Sequence, residues 1–136
     1  MIEYIEVLIR LAFAFLAGGL IGLDREVLHK PAGIRTHMLV CLGSALFVMI
    51  TPEMMPNEVA RVIAGVATGI GFLGAGTIFK SKSDVQGLTT AASIWSVAGI
   101  GLAIGIGEYF IALVGTVLVL VVLQLNKLEF IKRLEK

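Results

Sequence analysis

Charged residues divide the chain into long segments with little or no charge, and these segments predict membrane-spanning helices. Each segment is close to the roughly 17–25 residues that a helix needs to cross a bilayer. The first segment carries a single charge, Arg10, and the second ends near Pro52 and Pro56. The predicted spans are 7–23, 36–52, 62–79, 88–106 and 109–126. We therefore predict an all-α membrane protein, a single transmembrane domain (1–136) of about five transmembrane helices.

Composition supports a membrane protein and argues against a soluble one. The 136 residues are 57% hydrophobic and 15% charged, where a soluble domain has about 45–50% and about 25%. A small soluble domain leaves much of its surface in water, so it could not bury this much apolar surface. The single cysteine, Cys41, excludes an internal disulfide framework and a cysteine metal cluster.

Lysine and arginine lie mostly on one side of the predicted membrane. Nine of the eleven basic residues share that side: Arg25, Lys30, Arg35, Lys80, Lys82, Lys127, Lys132, Arg133 and Lys136. The other side has Arg61, with Arg10 inside the first span near that face. Because cytoplasmic loops carry an excess of positive charge, we predict that the N-terminus lies outside and the C-terminus in the cytoplasm.

The last segment, 127–136, predicts a short amphipathic cytoplasmic tail. Leu128, Ile131 and Leu134 recur at helical spacing, with basic residues between them. Such a tail lies against anionic headgroups. A solvated helix end is an equal alternative.

Two similar segments predict an internal repeat. Residues 15–21 read FLAGGLI and residues 72–78 read FLGAGTI, and four of the seven positions are identical. Beyond the loops that follow, 33–36 (GIRT) resembles 87–90 (GLTT). The first four spans thus form two tandem helix–loop–helix units in one orientation, the parallel kind of repeat. The alternative is chance similarity between glycine-rich apolar segments.

Glycines spaced four apart predict close helix packing. Small residues on one helix face let two backbones approach each other in a membrane. The pairs are Gly18 with Gly22, Gly65 with Gly69, and Gly101 with Gly105. The full set of predicted packing glycines is Gly18, Gly22, Gly65, Gly69, Gly71, Gly74, Gly76, Gly101 and Gly105. These faces indicate tight packing within the chain, a homo-oligomer, or both.

Polar residues at the ends of the predicted spans form the candidate functional cluster. Its members are Asp24, Arg25, Glu26, Arg35, Thr36, His37, Thr89 and Thr90. One interpretation is that charges simply collect at helix ends, with Arg25 pairing with a neighbouring acid at a modest gain. The other places Asp24 or Glu26 toward the bundle, paired with Arg35, because ionisable groups there are costly and mark functional sites.

Metal binding by this cluster is a weaker hypothesis. Carboxylates suit Mg²⁺, which prefers oxygen ligands and keeps several waters. Asp24 and Glu26 are the two acids that could meet such an ion. Two acids beside an arginine do not make a metal signature, so no cofactor is predicted apart from this Mg²⁺ hypothesis.

Two further positions carry specific expectations. Gly87 is expected just outside the fourth helix, with Thr89 or Thr90 capping the first N–H groups of that helix. An anion at this helix start is the less favoured alternative.

Arg10 is expected to extend its side chain toward the outer interface. Pairing with Glu53 or Glu58 is its alternative.

The sequence does not predict an enzyme. It lacks a serine–histidine–acid grouping, an HExxH motif and a phosphate-binding Walker loop. It also lacks a basic domain that would support nucleic-acid binding. We therefore expect a non-enzymatic protein.

Four motifs, in order, resemble the MgtC/SapB family of bacterial inner-membrane proteins. They are LAGGLIGLDRE at 16–26, KPAGIRTHMLVCLGSALF at 30–47, GIGFLGAGTIFKS at 69–81 and VQGLTTAASIWSVAGIGLAIG at 85–105. The resemblance extends from about Phe13 to about Leu125. It implies a domain of about five transmembrane helices in the bacterial inner membrane. It places family motif positions at Asp24–Glu26, Arg35–His37, Gly71–Gly76 and Gly87–Thr90, without assigning their roles.

The resemblance implies two functions. Family members are associated with adaptation to low magnesium, acid stress and survival in host cells, and some are credited with regulating membrane complexes that include the F-type ATP synthase. Longer members carry a cytoplasmic C-terminal domain. The first hypothesis is a regulator or interaction protein, with a homodimer favoured and the lipid bilayer as its surroundings. The alternative is a transporter or channel subunit for Mg²⁺, with Asp24 and Glu26 guiding the ion.

Overall fold

The computed structural model describes residues 3–55, 57–81 and 84–125. These residues form a bundle of five helices with one very short β-hairpin. In chain order the elements are α1 (Tyr4–Val27), α2 (Ile34–Met54), α3 (Val59–Ala75), β1 (Phe79–Lys80), β2 (Val85–Gln86), α4 (Leu88–Ile106) and α5 (Tyr109–Gln124). Residues 127–136, predicted to form an amphipathic tail, lie outside the described residues.

Helix α4 is the centre of the bundle and contacts each of the other four helices. Ten of its 19 residues are buried, among them small residues such as Ala98, Gly101 and Gly105. Small side chains let neighbouring backbones come close where no aqueous hydrophobic effect drives helices together. The most extensive contact between two helices joins α1 to α2, and α3 touches α2 less extensively than it touches α4.

Three of the described helices are long and apolar enough to cross a membrane: Tyr4–Val27, Ile34–Pro52 and Leu88–Ile106. The helices α3 and α5 are equally apolar but shorter, at 17 and 16 residues. Large apolar side chains cover the outside of the bundle, and Phe72 and Phe110 are 84% and 76% exposed. In a bilayer these side chains face lipid. The protein is therefore a membrane protein.

Helix α3 ends before the predicted third span does. Hydropathy predicts a span that reaches residue 79, but the helix ends at Ala75, and a turn leads into strand β1. Strand β1 pairs antiparallel with β2, with Phe79 opposite Gln86. The chain turns into α4 at Gly87, where φ is +90° and a Cβ atom would lie 1.9 Å from the Thr77 carbonyl oxygen. Only glycine fits this position without strain.

The predicted threonine cap of α4 is wrong. Gly87, as predicted, occupies the position before the first helical residue, and as the N-cap residue it makes no side-chain cap hydrogen bond. Thr89 is exposed and Thr90 is buried inside the bundle. Thr89 and Thr90 lie within the helix, which begins at Leu88, and a capping residue must lie before its first turn.

Candidate functional site

A buried ion pair lies where α1 approaches its end. The Arg25 side chain is only 2% exposed and its Asp24 neighbour 8%. Arg25 Nε donates to Asp24 Oδ2 at 3.0 Å, and Arg25 Nη2 donates to the same oxygen. Gln124, in the last turn of α5, donates from Nε2 to Asp24 Oδ1. This cluster therefore joins α1 to α5 through polar contacts. Removing one partner of the ion pair would leave an uncompensated buried charge.

His37, near the start of α2, is completely buried and connects two other parts of the bundle. Its Nδ1 lies 2.8 Å from the Gly33 carbonyl oxygen, and its Nε2 lies 2.9 Å from Ser93 Oγ of α4. Ser93 Oγ also lies 2.8 Å from the Thr90 carbonyl oxygen. Every polar atom of the imidazole thus has a partner, as buried polar groups require.

The protons in this chain of hydrogen bonds have only two arrangements. A carbonyl oxygen only accepts, so His37 Nδ1 donates its proton to Gly33. When Nε2 has no proton, Ser93 donates its single hydroxyl proton to Nε2. When Nε2 carries a proton, it donates to Ser93 Oγ, and Ser93 donates to the Thr90 carbonyl. The protonation of one ring nitrogen therefore decides whether the Ser93 hydroxyl donates to α2 or to the backbone of its own helix.

Glu26 has a different environment from Asp24, although only one residue separates them. Its side chain is exposed, and its Oε2 accepts from the backbone N–H of Ile34, the first residue of α2, at 3.0 Å. A Cβ atom at Gly33 would lie 1.6 Å from that oxygen. Glu26 therefore caps α2 from the end of α1, and the missing side chain at Gly33 makes room for it.

Asp24 and Glu26 were predicted to pair with Arg35, but the structure gives each acid other partners. Asp24 bonds with Arg25 and Gln124, and Glu26 bonds with the Ile34 N–H. Arg35 is exposed, and Thr36 is half-buried beside it. Of the predicted cluster, the structure therefore brings Asp24, Arg25, His37 and Thr90 inside the bundle and leaves the other members toward its surface.

A polar pocket of about 280 Å³ opens where the α1–α2 loop meets the start of α2. We call it the loop pocket. It is lined by Glu26, His29, Lys30, Pro31, Gly33, Arg35 and Thr36. His29 adopts a left-handed backbone conformation with φ of +51°, which is uncommon for a residue other than glycine.

Two of the three predicted glycine pairs are packed inside the bundle. At Gly22, a Cβ atom would lie 2.6 Å from Ile34 Cα, and at Gly18 it would lie 2.7 Å from the His37 carbonyl oxygen. On α4, the same atom would lie 2.3 Å from the Cys41 carbonyl oxygen at Gly101 and 2.2 Å from a Val48 methyl at Gly105. Helix α2 therefore lies between two glycine faces, one from α1 and one from α4.

The remaining predicted packing glycines, all on α3 or at its end, are looser. A Cβ atom added at Gly65, Gly69 or Gly71 would meet no atom of the described residues within 4 Å beyond its own helix, so these glycines present an open face in the part of the chain that the structure describes. Gly74 makes an ordinary contact with Ala91, and Gly76 meets only its own helix. An apolar groove of about 520 Å³ runs between α2 and α3 beside this open face, and we call it the α2–α3 groove. Its lining includes Leu39, Gly43, Phe47, Gly65, Val66 and Gly69.

A second polar cluster lies at the opposite end of the bundle. Glu6 Oε1 accepts from Arg10 Nε at 2.9 Å and from the Tyr109 hydroxyl at 2.5 Å. Arg10 Nη1 donates to the Gly105 carbonyl oxygen at 2.5 Å. Arg10 thus bonds with Glu6, one turn closer to the N-terminus, and with the end of α4. Glu58, one predicted alternative partner, is paired with Arg61 at 3.0 Å.

Sequence reasoning missed four residues that complete these clusters: Glu6, Ser93, Tyr109 and Gln124. Gln124 had a usable signal, because it is the only amide side chain in the apolar segment 109–125, and polar side chains in such a segment seek a partner in the bundle. Ser93 had none, since hydroxyls are common in membrane helices and usually bond within their own helix.

The donor groups in the described residues do not form a metal centre. Within 3–55, 57–81 and 84–125, no three histidine, cysteine or acidic side chains converge on one point. Asp24 and Glu26, the predicted Mg²⁺ ligands, bond to different elements. The positive charge of Arg25 lies against Asp24, and a bound cation at this acid would have to compete with it.

The profile of the MgtC family matches residues 11–131. The chain belongs to the MgtC family. It is 41% identical over 128 residues to YhiD of Escherichia coli strain K12, covering 88% of the chain and 60% of YhiD. It is 41% identical over 113 residues to Protein MgtC of Salmonella typhimurium strain LT2, covering 83% of the chain and 49% of that protein. With Protein MgtC of Brucella abortus the identity is 46% over 113 residues, covering 82% and 48%.

These relatives are longer than the match. The chain spans between about half and 60% of the length of the curated relatives it matches. No solved structure matches the chain. Its membership of the MgtC family, with the apolar helices described above, makes it a bacterial membrane protein.

Proposed function

We propose that this MgtC family member is a non-enzymatic regulator that acts by binding other membrane helices and takes part in adaptation to low magnesium or stress, as in the virulence-associated members of the family. The link to magnesium rests on its relatives, since YhiD is provisionally named a magnesium transporter. The observation that carries the regulatory role is the α2–α3 groove, an open apolar face on an otherwise closely packed bundle.

The groove favours a second copy of the chain as its first partner. Gly18, Gly22, Gly101 and Gly105 are used for packing within the bundle, but Gly65 and Gly69 are not. A small-residue pair on an open helix face is the usual contact between transmembrane helices. In a two-fold homodimer, the Gly65–Gly69 face of one α3 meets the same face of its partner. Another membrane complex, such as an F-type ATP synthase, is the proposed target of the regulator.

Oligomeric state tests this proposal. The variant Gly65→Leu/Gly69→Leu fills the open face with large side chains and is expected to shift detergent-solubilised protein from dimer to monomer in light scattering. The matched control is Gly71→Leu/Gly99→Leu, because both glycines are open and lie outside the groove. The control is expected to keep the wild-type mass. Equal masses for the two double variants would contradict the dimer.

Transport of Mg²⁺ is the second candidate, favoured by the name of YhiD. The geometry gives it less support, because Asp24 is held by Arg25 and Gln124 and Glu26 caps α2. Mg²⁺ flux into proteoliposomes separates the two functions, with empty vesicles and an Asp24→Asn/Glu26→Gln variant beside the wild type. We expect no flux above empty vesicles. Saturable flux that is lost in the variant would establish transport instead.

We further infer that the protein resides in the bacterial inner membrane with its N-terminus outside. Nine of eleven basic residues support this orientation. It places the loop pocket and the Asp24–Arg25 pair at the cytoplasmic side. The order helix–loop–helix followed by helix–hairpin–helix in α1–α4 is compatible with the tandem repeat inferred from the sequence.

A further inference from the structure

The loop pocket has a backbone frame that is fixed by several hydrogen bonds. The backbone N–H of His29 donates to the Glu26 carbonyl at 2.9 Å, and that of Lys30 donates to the Arg25 carbonyl at 3.0 Å. Glu26 joins this frame to α2 through the Ile34 N–H. Pro31 stiffens the remaining loop because its ring fixes φ. The backbone of the loop around the pocket is therefore held by contacts within the chain.

The charges around the pocket favour an anion. Lys30 and Arg35 place two exposed basic side chains at the pocket, and His29 adds a third nitrogen-bearing side chain. Among the described residues that line the pocket, Glu26 is the one acid, and one of its oxygens already accepts from the Ile34 N–H. A cation in the pocket would face two positive side chains, whereas an anion would be attracted by both.

We propose that the loop pocket binds a phosphate group. Arg35 offers a planar guanidinium that matches phosphate oxygens in pairs, and Lys30 offers a point charge. The Thr36 hydroxyl lines the same pocket and can donate to a third oxygen. This site is distinct from the buried Asp24–Arg25 pair and the α2–α3 groove, and it stands whether the protein is a regulator or a transporter.

Two sources can supply this chemistry. The pocket opens at the end of the transmembrane helices α1 and α2, the depth at which lipid headgroups lie. A phospholipid headgroup is therefore one source, and inorganic phosphate from solution is the other. Both place non-bridging phosphate oxygens against Arg35 and Lys30. The headgroup phosphate is a diester with two such oxygens and carries acyl chains, whereas inorganic phosphate has four and carries none.

The test measures both sources on the purified full chain in a phosphate-free detergent. Native mass spectrometry counts the phosphatidylglycerol molecules that stay bound, against a glucosyl diacylglycerol with the same acyl chains and no phosphate. Line width in ³¹P NMR follows inorganic phosphate added without lipid. The variants are Arg35→Gln, which removes a pocket charge, and Lys80→Gln, which removes an exposed charge outside the pocket at the same end of the bundle.

We expect Arg35→Gln to weaken phosphatidylglycerol binding about tenfold, because it removes charge-assisted hydrogen bonds to phosphate that a basic residue outside the pocket does not make. Lys80→Gln is expected to change it less than about twofold. Arg35→Lys is expected to retain the charge but lose part of the binding, because an ammonium cannot pair with two phosphate oxygens as a guanidinium does. Arg35-dependent broadening of inorganic phosphate without lipid retention also supports the site and identifies the source as free phosphate.

The proposal is overturned if neither probe depends on Arg35, or if Lys80→Gln weakens binding as much as Arg35→Gln does. The second result would mean that the lipid responds to the overall charge of this end of the bundle. Because Arg35 is exposed, Arg35→Gln is expected to melt at the wild-type temperature, and that measurement accompanies each binding assay.

Discussion

Helix α2 has two very different neighbours. On the α1 side, the glycine face of Gly18 and Gly22 brings the two backbones so close that there is no room for a methyl group. On the α3 side, Gly65 and Gly69 face open space beside an apolar groove. The same four-residue glycine spacing thus serves a closed contact in one place and an open face in another. Spacing identifies which helix face is small, and only packing shows whether another helix already fills it.

The largest loss of stability expected from this contrast comes from adding a single methyl group to a packed glycine. Gly22→Ala puts its Cβ atom 2.6 Å from Ile34 Cα, and overpacking of this kind costs about 3 kcal/mol of unfolding free energy. Gly65→Ala has open space around it and is expected to be neutral or stabilising by up to about 1 kcal/mol, because alanine favours a helix. Denaturation in mixed micelles, followed by circular dichroism, measures both. Equal losses would remove the distinction between the two faces.

A smaller effect is expected from hydroxyl groups on two faces of α4. Ser93→Ala removes the partner of His37 Nε2 in the closed part of the bundle, and leaving a buried polar atom unsatisfied costs about 2 kcal/mol. Ser96 is the matched control, since its exposed hydroxyl bonds only to the Ala92 carbonyl of its own helix. Ser96→Ala is expected to change the unfolding free energy by less than about 0.5 kcal/mol. A similar loss in both variants would show that His37 gains nothing from Ser93.

The smallest loss of stability is expected at the α1–α2 loop, where Glu26 caps α2 beside Gly33. Gly33→Ala would displace the Glu26 carboxylate from the Ile34 N–H, and losing a helix cap costs about 1 kcal/mol. In a Glu26→Ala background the carboxylate is already absent, so Gly33→Ala is expected to cause no comparable further loss. A double-mutant cycle on the same unfolding assay measures this coupling. Additive losses would mean that Gly33 acts independently of Glu26.

Much of the fold was predictable from the sequence because a bilayer restricts what can cross it. Long apolar segments between charged clusters had to become helices, and the structure has a helix within each predicted span. The end of α3 was not predictable from hydropathy alone. The uncharged residues 76–79 extend the apolar segment that predicts the span. The helix nevertheless ends at Ala75, because Gly76 follows it and Phe79 pairs with Gln86 in the hairpin.

Three members of the candidate site were predictable from the sequence, but the contacts that they make were not. Asp24, Arg25 and His37 stand out because ionisable residues at the ends of apolar segments are costly to place there. Their partners depend on how each helix is rotated about its axis and how far it is displaced along its neighbour. Those quantities bring Gln124 to Asp24 and Ser93 to His37. Sequence spacing within one helix contains no information about either.

The cluster of Glu6, Arg10 and Tyr109 has a consequence for how the protein is made. The ribosome releases Glu6 and Arg10 about one hundred residues before Tyr109, and membrane helices insert as they emerge. Asp24 likewise cannot bond with Gln124 until α5 has been synthesised. During synthesis α1 therefore carries polar groups for which some of the final partners do not yet exist, and the arrival of α5 supplies those partners. A ribosome stalled before α5 has emerged would hold a helix set that still lacks its final polar contacts.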